Sequence, residues 1–160
     1  MSEYEKKTSG FFIVEILIVL VIIGILTLAL LPNLRTYILR AKFSDNIAAG
    51  NSRKAVVEVC ALKQGLVNGT APAAPFNSCV GGANGIPPNV YGYGGYVKTV
   101  EVNQGVIHVI STSVFDGTDV FGFSFGSPGN TAYNYQLTPT ATNGIITWQN
   151  TGNCRDVGLC

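Results

Sequence analysis

The feature that most constrains this chain is an uninterrupted apolar run near its start. From Phe11 to Leu31 only Thr27 and Glu15 are not apolar. About 20 residues rising roughly 1.5 Å each as a helix match the hydrocarbon thickness of a bilayer, so the spacing predicts a membrane-spanning or otherwise fully covered helix. Glu15 is the anomaly within it. An acid inside such a segment costs about 2.5–3.5 kcal/mol on insertion scales, which marks it as a functional residue or places it at the headgroup level of an ordinary anchor.

Pro32 ends the apolar run, but the helical pattern continues. Leu34, Ile38, Ala41, Asp45, Ala48, Ser52, Ala55, Val59 and Leu62 recur at alternating spacings of four and three. That pattern predicts one face of a helix, apolar except at Asp45 and Ser52, packed against a sheet. A proline inside a helix removes one hydrogen bond and kinks it without necessarily ending it. The expectation is a single helix from about Phe11 to Leu62, on the order of 75–80 Å long. Its second half carries Arg35, Arg40, Lys42, Arg53 and Lys54, read as a solvated basic face.

From Gln64 to Gly95 the composition turns to Gly, Ala, Pro and Asn, which reads as a long loop needing to be pinned. Asn68-Gly69-Thr70 matches a glycosylation sequon, a weak three-residue signal. Strands are expected at Tyr96–Val102 and Val106–Thr112, joined as a hairpin through Asn103-Gln104-Gly105, with His108 as a strand-surface residue. A short strand is expected at Val120–Phe125. Tyr133–Thr138 and Ile145–Gln149 follow, flanking a Pro139–Gly144 connection. One long helix and then an antiparallel meander of about four strands is an α+β order.

The formal net charge of +1 gives no signal for nucleic acid. No enzyme emerges, because the single His has no partner motif for a nucleophile and the Gly-rich stretches do not sit between a strand and a helix. The four cysteines, Cys60, Cys79, Cys154 and Cys160, lack C-x-x-C spacing, so no metal site and no cofactor are expected. They read as two disulfides in an oxidising compartment. Cys60–Cys79 and Cys154–Cys160 join sequence neighbours and would pin the loop and the tail. Crossed pairings close longer loops, so chain entropy does not exclude them.

Gly10 followed by Phe11, Glu15 in the fifth place after that junction, and Gly24 and Pro32 within the apolar helix resemble a type IV pilin. The Tyr-Val-Lys strand leading into Asn-x-Gly-Val-Ile, Leu-Thr-Pro-Thr before Gly-Ile-Ile-Thr-Trp, and the cysteine-closed end are similar to the same family. The resemblance implies the pilin fold: a leader at residues 1–10, a transmembrane and filament-core half-helix at 11–34, and a globular head at 35–160. Within the head it implies a loop at 64–95, a meander at 96–150 and a closed tail at 151–160, packed along the sheet edge away from the helix end. It further implies cleavage between Gly10 and Phe11 by a prepilin peptidase, N-methylation of Phe11, and assembly through Glu15 paired with the Phe11 amine of a neighbour. Gly24 and Pro32 would be points of flexibility. The implied partners are further copies of the chain, the inner membrane before assembly and the assembly platform. The implied destination is an extracellular surface filament serving adhesion, twitching motility or DNA uptake. Phe12 departs from the family pattern, which usually has Thr there. Two other readings are a pseudopilin of type II secretion, for which Asp116 and Asp119 offer a thin calcium site, and a minor pilin that binds DNA through the basic helix.

Overall fold

A computed structural model describes residues 6–112 and 132–160, with side chains placed for 12–28 and from 37 onward. Helix α1 spans Lys6–Lys63 and passes through Gly24 and Pro32 without interruption. It already includes residues 6–10, ahead of the expected start at Phe11. Once a helix is nucleated each added residue gains a hydrogen bond, and the single Gly10 costs only about 1 kcal/mol, too little to stop it. Its other end is set by glycine. Gly65 takes φ 92°, and the N–H groups of Gly65 and Leu66 donate to the carbonyls of Leu62 (3.1 Å) and Ala61 (3.2 Å), which caps carbonyls the helix leaves unpaired. By contacts the chain divides into two units after Ile38.

In the second unit the helix packs on a six-stranded antiparallel sheet. The strands are β1 (Gly69–Thr70), β2 (Val90–Gly94), β3 (Val97–Asn103), β4 (Val106–Ser111), β5 (Asn134–Thr142) and β6 (Ile145–Thr151). β2, β3, β4, β5 and β6 lie side by side in that order, and β1 adjoins β5 beyond the end of β4. β3–β6 are the expected meander. β1 and β2 come from the stretch read as loop, where the Gly and Asn content hid two short pairings. The expected strand Val120–Phe125 and the pair Asp116 and Asp119 lie outside the described residues.

Both long hairpins turn on two residues. Gln104 and Gly105 have φ 47° and 82°, and Asn143 and Gly144 have φ 50° and 80°, the paired left-handed geometry that matches strand twist. The Pro139–Gly144 connection is therefore shorter than expected, because β5 runs on through Pro139 to Thr142. The Pro139 carbonyl accepts from Ala71 N–H at 3.0 Å. Backbone N and O of one strand residue point to the same side, so the missing N–H faces the end of the two-residue β1 and costs β6 nothing.

The core gathers Phe43 and Val57 from α1, Val100 and Val102 from β3, and Ile107 and Leu137 from β4 and β5, all at most 2% exposed. The helix stripe that faces it is Phe43, Asn46, Gly50, Arg53, Val57 and Cys60. This corrects the expected stripe. Ala41, Asp45, Ala48, Ser52, Ala55, Val59 and Leu62 are all exposed. Three residues disguised the buried face as polar. Asn46 is buried with its Nδ2 donating to the Tyr96 carbonyl at 3.2 Å. Gly50 lets the sheet approach so closely that a Cβ there would lie 3.1 Å from Tyr135 and 3.2 Å from Val109. Arg53 is 8% exposed, with its Nη1 buried and without a hydrogen-bond partner among the described residues.

The stretch 71–89 is laid against the β3–β4 hairpin. Gly81 N–H donates to Val102 O (2.8 Å) and Gly105 N–H to Cys79 O (2.7 Å). Asn89 Oδ1 accepts from Val102 N–H at 2.9 Å, and Phe76 and Ile86 are buried.

Candidate assembly surface

In the first unit every large apolar side chain from Phe12 to Leu28 is between 46% and 70% exposed. Thr27 meets its polar requirement internally, its hydroxyl donating to the Ile23 carbonyl at 2.7 Å. Glu15 is exposed among these apolar neighbours. A Cβ on Gly24 would meet nothing within 4 Å, so close approach of another helix fits that position. Gly10 and Phe11 lie within α1, while the side chains of Phe11 and Pro32 are outside those described. Among the described residues no helix is long and apolar enough to cross a membrane; the expected span, Phe11–Leu31, extends past the described side chains at both ends. An apolar surface of this extent on all sides of a helix is not stable bare in water, since each such side chain gains about 1.5–3 kcal/mol on full burial.

In the second unit the exposed stripe Ala41, Ala48, Ala55, Val59 and Leu62 is again apolar, with Val59 49% and Leu62 59% exposed. Three basic residues of this helix, Arg40, Lys42 and Lys54, are tied to the rest of the head. Arg40 Nε donates to the Gly158 carbonyl at 2.6 Å, fastening the tail to the helix. Lys42 lies over the Tyr96 ring at 5.3 Å and Lys54 over the Trp148 ring at 5.7 Å. Trp148 Nε1 also donates to Glu58 Oε1 at 2.7 Å. Among the described residues of the expected basic face, Arg40, Lys42 and Lys54 are thus engaged within the chain and Arg53 is buried, so none of these four stands free for phosphates.

The cysteines form two bridges. Cys60–Cys79, with Cα atoms 5.9 Å apart, joins the end of α1 to the loop. Cys154–Cys160, with Cα atoms 5.5 Å apart, closes the tail. The tail is held at the start of β5, where Asn134 and Asn153 each accept through Oδ1 from the other's N–H at 2.7 Å.

His108 lies on the sheet face away from the helix, in a cross-strand row with Glu101 on β3, Gln136 on β5 and Thr151 on β6. Half-burial pushes its imidazole down, and the Glu101 carboxylate partly opposes that. Glu101 in turn pushes the Tyr91 phenol up, first through a hydrogen bond and then through charge repulsion. One histidine and one carboxylate make a polar surface row, too few ligands for a metal. Among the described residues no cluster of metal-ligating side chains occurs.

The exposed apolar helix, the sheet on its second half and the bridged loop and tail are those of a type IV pilin, and the chain belongs to that family. It is 31% identical over 150 residues to fimbrial protein EcpC of Eikenella corrodens, covering 93% of this chain and 86% of that one. It is 36% identical over 84 residues to type IV pilus subunit protein TapA of Aeromonas hydrophila, covering 52% of each. It is 29% identical over 114 residues to prepilin peptidase-dependent protein D of Escherichia coli (strain K12), covering 71% of this chain and 70% of that one. The alignment to TapA thus spans about half of that relative's length. No family model matches the chain. The protein is a structural pilus subunit and not an enzyme.

Proposed function

We propose that the chain polymerises through α1 into a surface filament serving adhesion, twitching motility or DNA uptake. The observation that carries this reading is the bare apolar surface from Phe12 to Leu28, a surface that needs a partner throughout its length. A bilayer covers it before assembly, and the helices of other copies cover it afterwards. The precursor then resides in the inner membrane, and the mature filament lies outside the cell. Prepilin peptidase cuts between Gly10 and Phe11 and the new amine of Phe11 is methylated. The likeness to a protein named as prepilin peptidase-dependent supports this step. On this reading residues 1–10 are the leader, 11–34 the filament core and 35–160 the head, with Gly24 and Pro32 giving the core helix freedom to bend.

Glu15 explains how such a polymer keeps register. A carboxylate buried in an apolar core is tolerable only when paired, and one stagger of neighbouring helices brings it to the Phe11 amine of another copy. The basic side chains held inside the head weigh against the DNA-binding alternative, and a short type II secretion pseudopilus would use the same core. The test is Glu15→Ala. Membrane insertion is expected to be unchanged or improved, since a charge is removed, while filament yield collapses. Normal filaments from the variant would refute the assembly role.

A further inference from the structure

Beside the outward face of α1 lies a groove of about 350 Å³ lined by Asp45, Ala48, Ala49, Ser52, Tyr93, Gly94 and Val97. Its floor is methyl groups, β2 contributes an aromatic ring at one wall, and the helix contributes one carboxylate. Asp45 is the single charge on the exposed apolar stripe, and among the described residues no cation pairs with it. Lys42, one turn earlier, is drawn to the ring of Tyr96 instead. The Ser52 hydroxyl donates back to the Ala49 carbonyl at 2.7 Å, which leaves its oxygen able to accept from a donor.

If a wholly apolar segment covered this stripe, the Asp45 carboxylate would be buried without a counter-charge, at a cost of several kcal/mol. A lysine side chain avoids that cost. Its methylene stem lies along Ala48 and Ala49, its ammonium meets Asp45, and an aromatic face beside it adds attraction. Among the described residues Lys63 and Lys98 are exposed with no hydrogen bond or ring contact. By contrast Arg40 and Arg155 are bonded to backbone carbonyls and Arg53 is buried. We propose that the Asp45 groove receives the ammonium of Lys63 or Lys98 from a second copy of this chain, a contact that sets how neighbouring heads dock. The proposal rests on the filament reading and adds a second charge pair to it, in the heads rather than in the core.

Zero-length carbodiimide cross-linking of filaments grown from a mixture of isotope-labelled and unlabelled full-length chains tests it. The tryptic peptide Phe43–Arg53 is expected to be joined through Asp45 to Lys63 or Lys98 in pairs of mixed label. Asp45→Lys is expected to lower filament yield roughly tenfold, about 1.4 kcal/mol of contact, and Asp at the linked lysine's position is expected to restore it. Intact filaments in which Asp45 stays unlinked, or is linked only to Lys42 of its own chain, would overturn the groove assignment and leave the filament reading standing. Absence of filaments from the unaltered chain would overturn both.

Discussion

Gly50 is the residue on which the head's packing turns. Its missing Cβ is filled by Tyr135 and Val109, 3.1 and 3.2 Å from where a Cβ would sit. Alanine there gains about 1 kcal/mol of helix propensity and loses about 1–3 by overpacking. Valine removes the ambiguity, because it adds more bulk and gives up propensity. Gly50→Val is expected to destabilise the head by about 2–3 kcal/mol and to lower its melting temperature by several degrees, read by circular dichroism. An unchanged melting temperature would mean that helix and sheet are further apart. His108 gives the fold a pH dependence of definite sign. Its folded pKa is lowered, chiefly by burial, so the unfolded chain binds more protons near the unperturbed value of about 6.5. Its contribution is complete above that value and is lost as pH falls through the lower folded pKa. His108→Gln is expected to flatten this part of the stability curve, measured by urea denaturation at a series of pH values. A contribution that instead grows on acidification would show the Glu101 charge outweighing burial.

Among the elements, α1 teaches most about what was legible. The extent of the helix past Pro32 and its end near Leu62 were readable, because periodicity continued to Leu62 and the composition changed from Gln64 onward. Its orientation was not. The outward stripe of alanines with Val59 and Leu62 scores as more apolar than the inward stripe, which contains Asn46, Gly50 and Arg53. Periodicity reports which face is covered, not by what. The sheet takes the face on which Gly50 lets it approach closely. The hairpins were legible from Asn-Gly and Gln-Gly, since only such residues accept left-handed φ cheaply. β1 and β2 were not, because β1 pairs over only two residues and the alternating tyrosines of β2 sit among glycines in a stretch that otherwise reads as loop. Much of the order in the 71–89 stretch comes from Cys60–Cys79 and from Phe76 against Gly105, where a Cβ would overlap the ring. Replacing Cys60 and Cys79 together with alanine is expected to cost about 3 kcal/mol on the chain-entropy model, with amide exchange rising first at Gly81 and Gly105. Exchange rising uniformly over the sheet would show that the bridge holds the whole head rather than the loop.

For the whole molecule the two units carry different requirements. The head closes its own core and satisfies most of its basic side chains. The helix from Phe12 to Leu28 presents exposed apolar side chains throughout and can cover none of them alone. The candidates Gly10, Phe11 and Glu15 rest on sequence order alone, because the cutting, methylation and pairing proposed for them are local in sequence. The groove at Asp45 was not, since it is made by a strand 48 residues away in the chain, at Tyr93. On the proposed reading a processed chain polymerises through that helix. Electron microscopy of material sheared from cells, with intact-mass analysis of its major band, tests it most directly. The expected result is thin filaments whose subunit begins at a methylated Phe11 and has both disulfides closed; filaments lacking this chain, or built from chains that keep residues 1–10, would refute it.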